Sequence, residues 1–262
     1  MHLEIITKQP KKDSSAIPLL LVHGAWHGAW CWEHFQSFFA EQGYTSHALS
    51  LRGHGQSEGR GNLRWFSAAE FVNDLRRVVR RLPQSLVLIG HSAGGYLIQK
   101  YLESDSAIAA ILLSSVPVNG AFRMFTRLAI RHPLQYIKMH LTMNSFVLIE
   151  TSELAREAFF SDDIPHEKLC QYFALLQPES YRFGWDTSFF NLPRPKRNFK
   201  VPMLVLGGGD DRLICREEVE ETAKAYGTQA ELFPGVAHDM MLDKDWMRVA
   251  KRIVEWLRQN NI

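Results

Sequence analysis

The sequence predicts an α/β protein, a mostly parallel, doubly wound sheet carrying a helical insertion, and three observations predict it. Runs apolar at nearly every position, "PLLLVHG", "SLVLIG", "IAAILLSSV" and "VPMLVLGGG", read as strands buried on both faces. Segments with helical apolar spacing separate them, the arrangement that builds parallel strands. The alternation breaks after Val116 and resumes near Val201, and residues 117–200 between are helical and irregular, rich in Phe, Met, Leu and His. The expected organisation is one core, 1–116 and 201–262, with 117–200 inserted as a helical cap, or lid, over the strand ends.

Along the chain, "LEIITK" is the first strand and "PLLLVHG" the second, ended by a glycine. "WCWEHFQSFFAEQG" has helical spacing and a glycine stop at Gly43. "YTSHALSL" is a strand running into the glycine-rich loop "RGHGQSEGRG". "SAAEFVNDLRRVVRRL" is a helix: Ser67 as N-cap and Glu70 three residues later form a capping box, and Pro83 marks the end. Its Arg76, Arg77, Arg80 and Arg81 read as a solvated face. Then come the strand "SLVLIG", the helix "GGYLIQKYLES" and the strand "IAAILLSSV". After the insertion follow "VPMLVLGGG", the helix "REEVEETAKAYG", a short strand "AELFPG" and the final helix "KDWMRVAKRIVEWLRQ".

Bulk properties exclude several function classes. The 262 residues, 46% hydrophobic and 22% charged, suit a soluble globular chain with a sizeable core. A formal charge of +2 gives no strong attraction to nucleic acid or to a membrane surface. Cys31, Cys170 and Cys215 are few, odd in number and far apart, which argues against a disulfide framework and for a reducing compartment. No metal-ligand spacing is present. "MHLEIITKQPKKDSS" lacks a signal-peptide core, and "IPLLLV" is too short to span a bilayer. The expected location is cytoplasmic, without stable membrane insertion.

Chemistry concentrates at "LIGHSAGG". Ser92 lies between Gly90 and Gly94, after a strand and before a helix. This G-x-S-x-G context is that of a nucleophile elbow, where a sharp turn lifts the side chain off the sheet and the helix N-terminus offers free amides. A serine needs a base, and the base needs a carboxylate to orient it. On this architecture the order is Ser, acid, His. Asp210 and Asp211 follow "MLVLGGG", and His238 follows "AELF" in the loop "PGVAH". Both sit at strand ends, where open α/β sheets bind ligands. An oxyanion hole needs two main-chain amides: Ala93, after the serine, and Ala25, in "HGAW" after the second strand, are the expected donors.

These residues resemble the α/β-hydrolase superfamily along nearly the whole chain. "HGAWHGAWCW" is similar to the oxyanion loop of plant methylesterases and hydroxynitrile lyases. "LSLRGHGQSEG" resembles the corresponding loop of bacterial esterases, lysophospholipase-like enzymes and monoacylglycerol lipases. "GGGDDRLI" and "PGVAHDMML" resemble the acid and histidine motifs. In the family a proline follows the catalytic aspartate by a few residues; Cys215 stands at its place, which aligns Asp211 with the acid. The family's sheet has eight strands, and with "LEIITK" the one clear early strand this chain is expected to have lost one. Ser92 excludes the aspartate nucleophile of epoxide hydrolases and haloalkane dehalogenases, though not haloperoxidase-like chemistry. Hydroxynitrile lyases carry threonine where Gly24 stands and lysine where Asp239 stands, so both departures favour hydrolysis.

The resemblance implies a serine hydrolase cleaving a carboxylic ester through an acyl-enzyme on Ser92, Asp211 and His238, without cofactor or metal. A carbon–carbon bond hydrolase, a thioesterase, a lactonase and a ligand-binding receptor on the same fold are the alternatives. Trp26, Met139, Met143 and Phe146 are the expected pocket residues for a small, largely apolar substrate. Phe122, Met124, Phe125, Phe159 and Phe160 pack the insertion or line its acyl pocket. Arg123, Arg127, Arg131 and Lys138 read as a solvated face in preference to a lipid head-group contact.

Overall fold

The computed structural model describes residues 1–12, 16–82, 85–196 and 200–262. Its strands are β1 (Ile5–Lys8), β2 (Leu19–Val22), β3 (Ser46–Leu49), β4 (Val87–His91), β5 (Ala109–Leu113), β6 (Met203–Gly208) and β7 (Ala230–Phe233). They form one sheet of order β1-β3-β2-β4-β5-β6-β7, seven strands among the described residues. All neighbours are parallel except β1, which runs antiparallel to β3 with Ile5 opposite Leu49.

The central strands are buried at every position, so both faces are covered. Edge strands β1 and β7 are partly exposed. The core helices are α1 (Glu33–Glu41), α2 (Ala68–Val79), α3 (Ala93–Tyr101), α9 (Arg216–Ala225) and α10 (Trp246–Gln259). α1 packs with α10, and α2 with α3. The Ser67–Glu70 capping box forms as the sequence predicts; Pro83 lies outside the described residues. "WCW" departs from the expected helix by making a 3₁₀ turn, Ala29–Trp32, before α1 starts at Glu33. Gly43 stops α1 with φ at 93°, a conformation that favours glycine.

Between β5 and β6 the chain makes α4 (Phe122–Arg131), α5 (Pro133–Thr142), α6 (Ser152–Phe159), α7 (His166–Phe173) and α8 (Tyr181–Trp185), with no strand among the described residues. The topology places a site. From β2 the chain goes to β3 on one side, and from β4 to β5 on the other. The carboxyl ends of β2 and β4 therefore flank a crevice, the position where doubly wound sheets bind ligands. His23–Ala25 and Ser92 follow those two strands.

Candidate active site

Ser92 has φ 49° and ψ −114°, a conformation that L-residues rarely adopt. The residues two positions away on either side are glycine by necessity. A Cβ on Gly90 would sit 2.6 Å from the Gly94 main chain, and one on Gly94 would sit 2.2 Å from the Val22 carbonyl oxygen. Gly24 is equally constrained, because a Cβ there would come within 2.7 Å of His91 Nδ1. The turn is held by the Ser92 amide donating to Leu113 O at 2.9 Å, while Ser92 O accepts from Val116 N at 3.0 Å.

His238 lies past β7, buried, and its Nδ1–H donates to Asp211 Oδ2 at 2.8 Å. The amides of Leu213 and Ile214 donate to Asp211 Oδ1 at 2.8 and 2.9 Å, so this carboxylate is fixed from both sides. Asp210 instead is exposed: its amide donates to Val236 O, and its carboxylate accepts only a long bond from Gly235 N. Burial opposes charging of His238, but the Asp211 charge and hydrogen bond outweigh it, helped by Asp239, and raise the imidazole above its ordinary value. With Nδ1 protonated, Nε2 is left as the basic nitrogen. His91, adjacent to Ser92, donates from Nε2 to His238 O at 3.0 Å and so joins the serine and histidine loops. Burial, and next the neighbouring His238, push His91 down to about 3, which keeps it neutral.

A cleft of about 810 Å³, including its open mouth, lies over Ser92, Ala93 and Ala25. Its wall is largely apolar and comes mostly from the 117–200 segment, including Met124, Phe125, Met139 and Phe183. Trp26 lines it with a left-handed backbone (φ 64°), and the amide of Gln177 holds the Trp26 carbonyl at 2.9 Å. Gln177 also bonds Gly53 O and Gly55 N, tying the insertion to the loop after β3.

The structure places two of the expected pocket residues away from the cleft over Ser92. Met143 does not line the cleft. α5 ends at Thr142, and Met143 turns left-handed (φ 49°), which sends its side chain to a separate groove beside Arg60, Arg64 and Trp65. Phe146, in the 3₁₀ turn Ser145–Ile149, packs on the hydrophobic core. Phe159 and Phe160 are fully buried. Arg123, Arg127, Arg131 and Lys138 each pair with a glutamate, respectively Glu221, Glu218, Glu157 and Glu150. Sequence reasoning missed Tyr136, His140, Glu179 and Tyr181, which put polar groups in the wall. Their positions follow from how the inserted helices fold back, for which the residue pattern carries no signal.

A model of the alpha/beta hydrolase family matches residues 19–252. The chain belongs to the alpha/beta hydrolase family. Among relatives, it is 33% identical to a pheophorbidase of Raphanus sativus over 85 residues, 32% of each chain. It is 24% identical to methyl jasmonate esterase 1 of Vitis vinifera over 246 residues, 92% of this chain and 84% of that one. Thus the match spans about a third of the first of these relatives. A thermophilic esterase of Thermogutta terrifontis superposes with a TM-score of 0.75 at 20% identity, covering 98% of this chain and 93% of that one. That likeness shows the alpha/beta hydrolase fold, here with seven strands among the described residues. Among the described residues no helix is long and apolar enough to cross a membrane.

Proposed function

We propose that this family member hydrolyses a carboxylic ester of a small or medium, largely apolar acid through an acyl-enzyme on Ser92. The observation that carries the reading is the buried His238–Asp211 pair, 2.8 Å apart, tied to the strained Ser92 turn by the His91 Nε2 bond to His238 O. His238 takes the Ser92 proton as Oγ adds to the acyl carbonyl. The amides of Ala25 and Ala93 hold the resulting oxyanion. His238 then protonates the departing alkoxide, and water releases the acid by the same route. Asp211 fixes the imidazole tautomer and balances the imidazolium charge. No step calls on a cofactor or metal.

The wall residues Met124, Phe125, Met139 and Phe183 support an apolar acyl group in the cleft, with 117–200 acting as the cap and Trp26 in the wall. Names of relatives agree: the grapevine protein is called a methyl jasmonate esterase, and the rice protein that matches over 237 residues a probable esterase. The test is labelling by a fluorophosphonate, followed by turnover of p-nitrophenyl esters of increasing acyl length. Wild type should label, whereas folded Ser92→Ala and His238→Ala should not. Failure of folded wild type both to label and to turn over any ester, thioester or lactone would remove the reading.

A further inference from the structure

Arg127 stands on α4, inside the insertion, and its sequence pattern reads as a solvated face. Its side chain is instead only 31% exposed and reaches across to the core. There the guanidinium makes two contacts. Nη2 meets Glu218 Oε2 at 2.5 Å and Nη1 meets Oε1 at 3.3 Å, and Glu218, in the first turn of α9, is buried. Nη2 also donates to the Leu213 carbonyl oxygen. That carbonyl belongs to the peptide joining Leu213 to Ile214. The N–H of the same peptide, on Ile214, donates to Asp211 Oδ1 at 2.9 Å. A trans peptide is planar, so its C=O and N–H point in opposite directions and turn together. A guanidinium on the oxygen therefore fixes where the N–H points. It also polarises the peptide, which strengthens the bond that the N–H makes. The other oxygen of the same carboxylate, Asp211 Oδ2, accepts from His238 Nδ1 at 2.8 Å.

An unbroken chain of bonds thus runs from Arg127 through one peptide and one carboxylate to the proposed base. Its surroundings are held as well. Leu213 N–H joins Ile214 N–H on Asp211 Oδ1 at 2.8 Å, and Cys215 N–H donates to Glu218 Oε2 at 3.0 Å. Leu213 and Ile214 are buried. The same helix α4 brings Met124 and Phe125 to the cleft wall, where the Leu213 side chain also lies. Resting on the reading of Asp211 and His238 given above, we propose that Arg127 is a positioning residue through which the inserted helix aligns the catalytic acid: it holds the Leu213–Ile214 peptide, and that peptide holds Asp211 against His238. Arg127 is not part of the cleft wall. Without its bond the peptide is free to turn, Asp211 Oδ1 loses a well-aimed donor, and the carboxylate drifts from His238 Nδ1. The loss falls on the steps in which His238 carries the proton and leaves ester binding intact.

Arg127→Met alone would leave Glu218 buried without its partner, which destabilises the fold. The deciding variant is therefore Arg127→Met with Glu218→Gln, which removes both charges and keeps an oxygen for Cys215 N–H. The control is Arg123→Met. Arg123 lies one turn earlier on α4 and pairs with Glu221 of α9 at 3.0 Å, so it ties the same two helices without touching the acid loop. On p-nitrophenyl esters the double variant should lose about 3- to 30-fold in kcat, the worth of one weakened hydrogen bond to a carboxylate, with KM within about threefold. Arg123→Met should keep the wild-type kcat. Glu218→Gln alone leaves the guanidinium on Leu213 O and should stay well above the double variant. The direct readout is ¹H NMR of the His238 Nδ1 proton, which a carboxylate acceptor draws downfield. It should move upfield in the double variant and stay in place in Arg123→Met. A folded double variant with wild-type kcat and an unmoved proton would overturn the proposal. Arg123→Met or Glu218→Gln as impaired as the double variant would overturn it too, since the tie between the helices would then be what counts. Fluorophosphonate labelling of wild type separates the two levels: a labelled wild type with an unaffected double variant sinks only this inference, whereas an unlabelled, inactive wild type sinks the underlying reading with it.

Discussion

Replacing Ser92 by glycine should make the protein more stable while abolishing its proposed activity. Ser92 holds φ 49° and ψ −114°, a region where a Cβ is disfavoured, and such residues cost about 1–3 kcal/mol each. Glycine removes that cost but gives the unfolded chain extra freedom worth roughly 0.5–1 kcal/mol. The balance is a gain of up to about 2.5 kcal/mol. For a chain of this size that is a rise in Tm of up to about 10 °C, at about 2–4 °C per kcal/mol. The control is Ser92→Ala, which removes the hydroxyl and keeps the Cβ and its strain. Calorimetric melting of the three proteins isolates the backbone contribution as the difference between the Gly and Ala variants. At an ordinary site Ala is the more stable of the two. A Gly variant melting at or below the Ala variant would mean that the turn stores no strain, and the argument from its backbone angles would fail.

Other expectations follow from the same geometry. Asp211→Asn removes the charge and hydrogen bond that raise His238, so the acid limb of kcat/KM should move to lower pH, and kcat should fall by about 10⁴ because the wrong tautomer is favoured. Linkage gives the stability side. The His238 value is raised in the folded state, so the stabilisation by Asp211 is complete below about pH 6.5, the unfolded imidazole value, and is lost as pH rises through the folded one; wild type and Asp211→Asn melts should therefore converge at high pH. Met139→Trp should shorten the longest p-nitrophenyl ester accepted, whereas Met143→Trp should leave the acyl-length profile unchanged, since only Met139 lines the cleft. Ser67→Ala breaks the capping box of α2 and should cost about 1 kcal/mol, read as a lower Tm.

The parts of this molecule legible in its sequence are those governed by local rules. Apolar runs such as "SLVLIG" and "IAAILL" could only be strands buried on both faces, and their spacing fixed a parallel sheet. The Ser67–Glu70 pair announced a helix start because both bonds of the capping box are local. Asp211 was separable from Asp210 through Cys215, and the structure finds Asp211 buried on His238 while Asp210 is exposed. The insertion was legible as helical, and its inner face was not. Met139 and Met143 are one helical turn apart, so periodicity puts both on one face. They diverge because α5 stops at Thr142 and the next residue turns left-handed. The role of Arg127 was invisible for a different reason: its partners Leu213 and Glu218 lie 86 and 91 residues away, and nothing in "FRMFTRLAIR" says which arginine meets a buried carboxylate.

The glycines of the site are explained together by one close approach. The first turn of α3 lies so near the end of β2 that Gly94 touches the Val22 carbonyl, and Gly24 in turn touches His91 and the Cβ of Ser92. Three chain segments thus meet with no room for a side chain among them. That contact sustains the Ser92 strain. The turn cannot relax outward, because the Ser92 amide is bonded to Leu113 O and its carbonyl to Val116 N, across β5. It cannot relax inward against Gly24 and Val22. The backbone angle at Ser92 is thus set by the packing of β2, β4, β5 and α3, whose close approach the motif glycines permit. A methyl group added at Gly94 therefore acts on the whole junction: the helix must move away from β2, and the amide of Ala93 moves with it. The glycine spacing in "GHSAG" is in this sense a packing requirement first, and the side chain it presents to the cleft is the consequence.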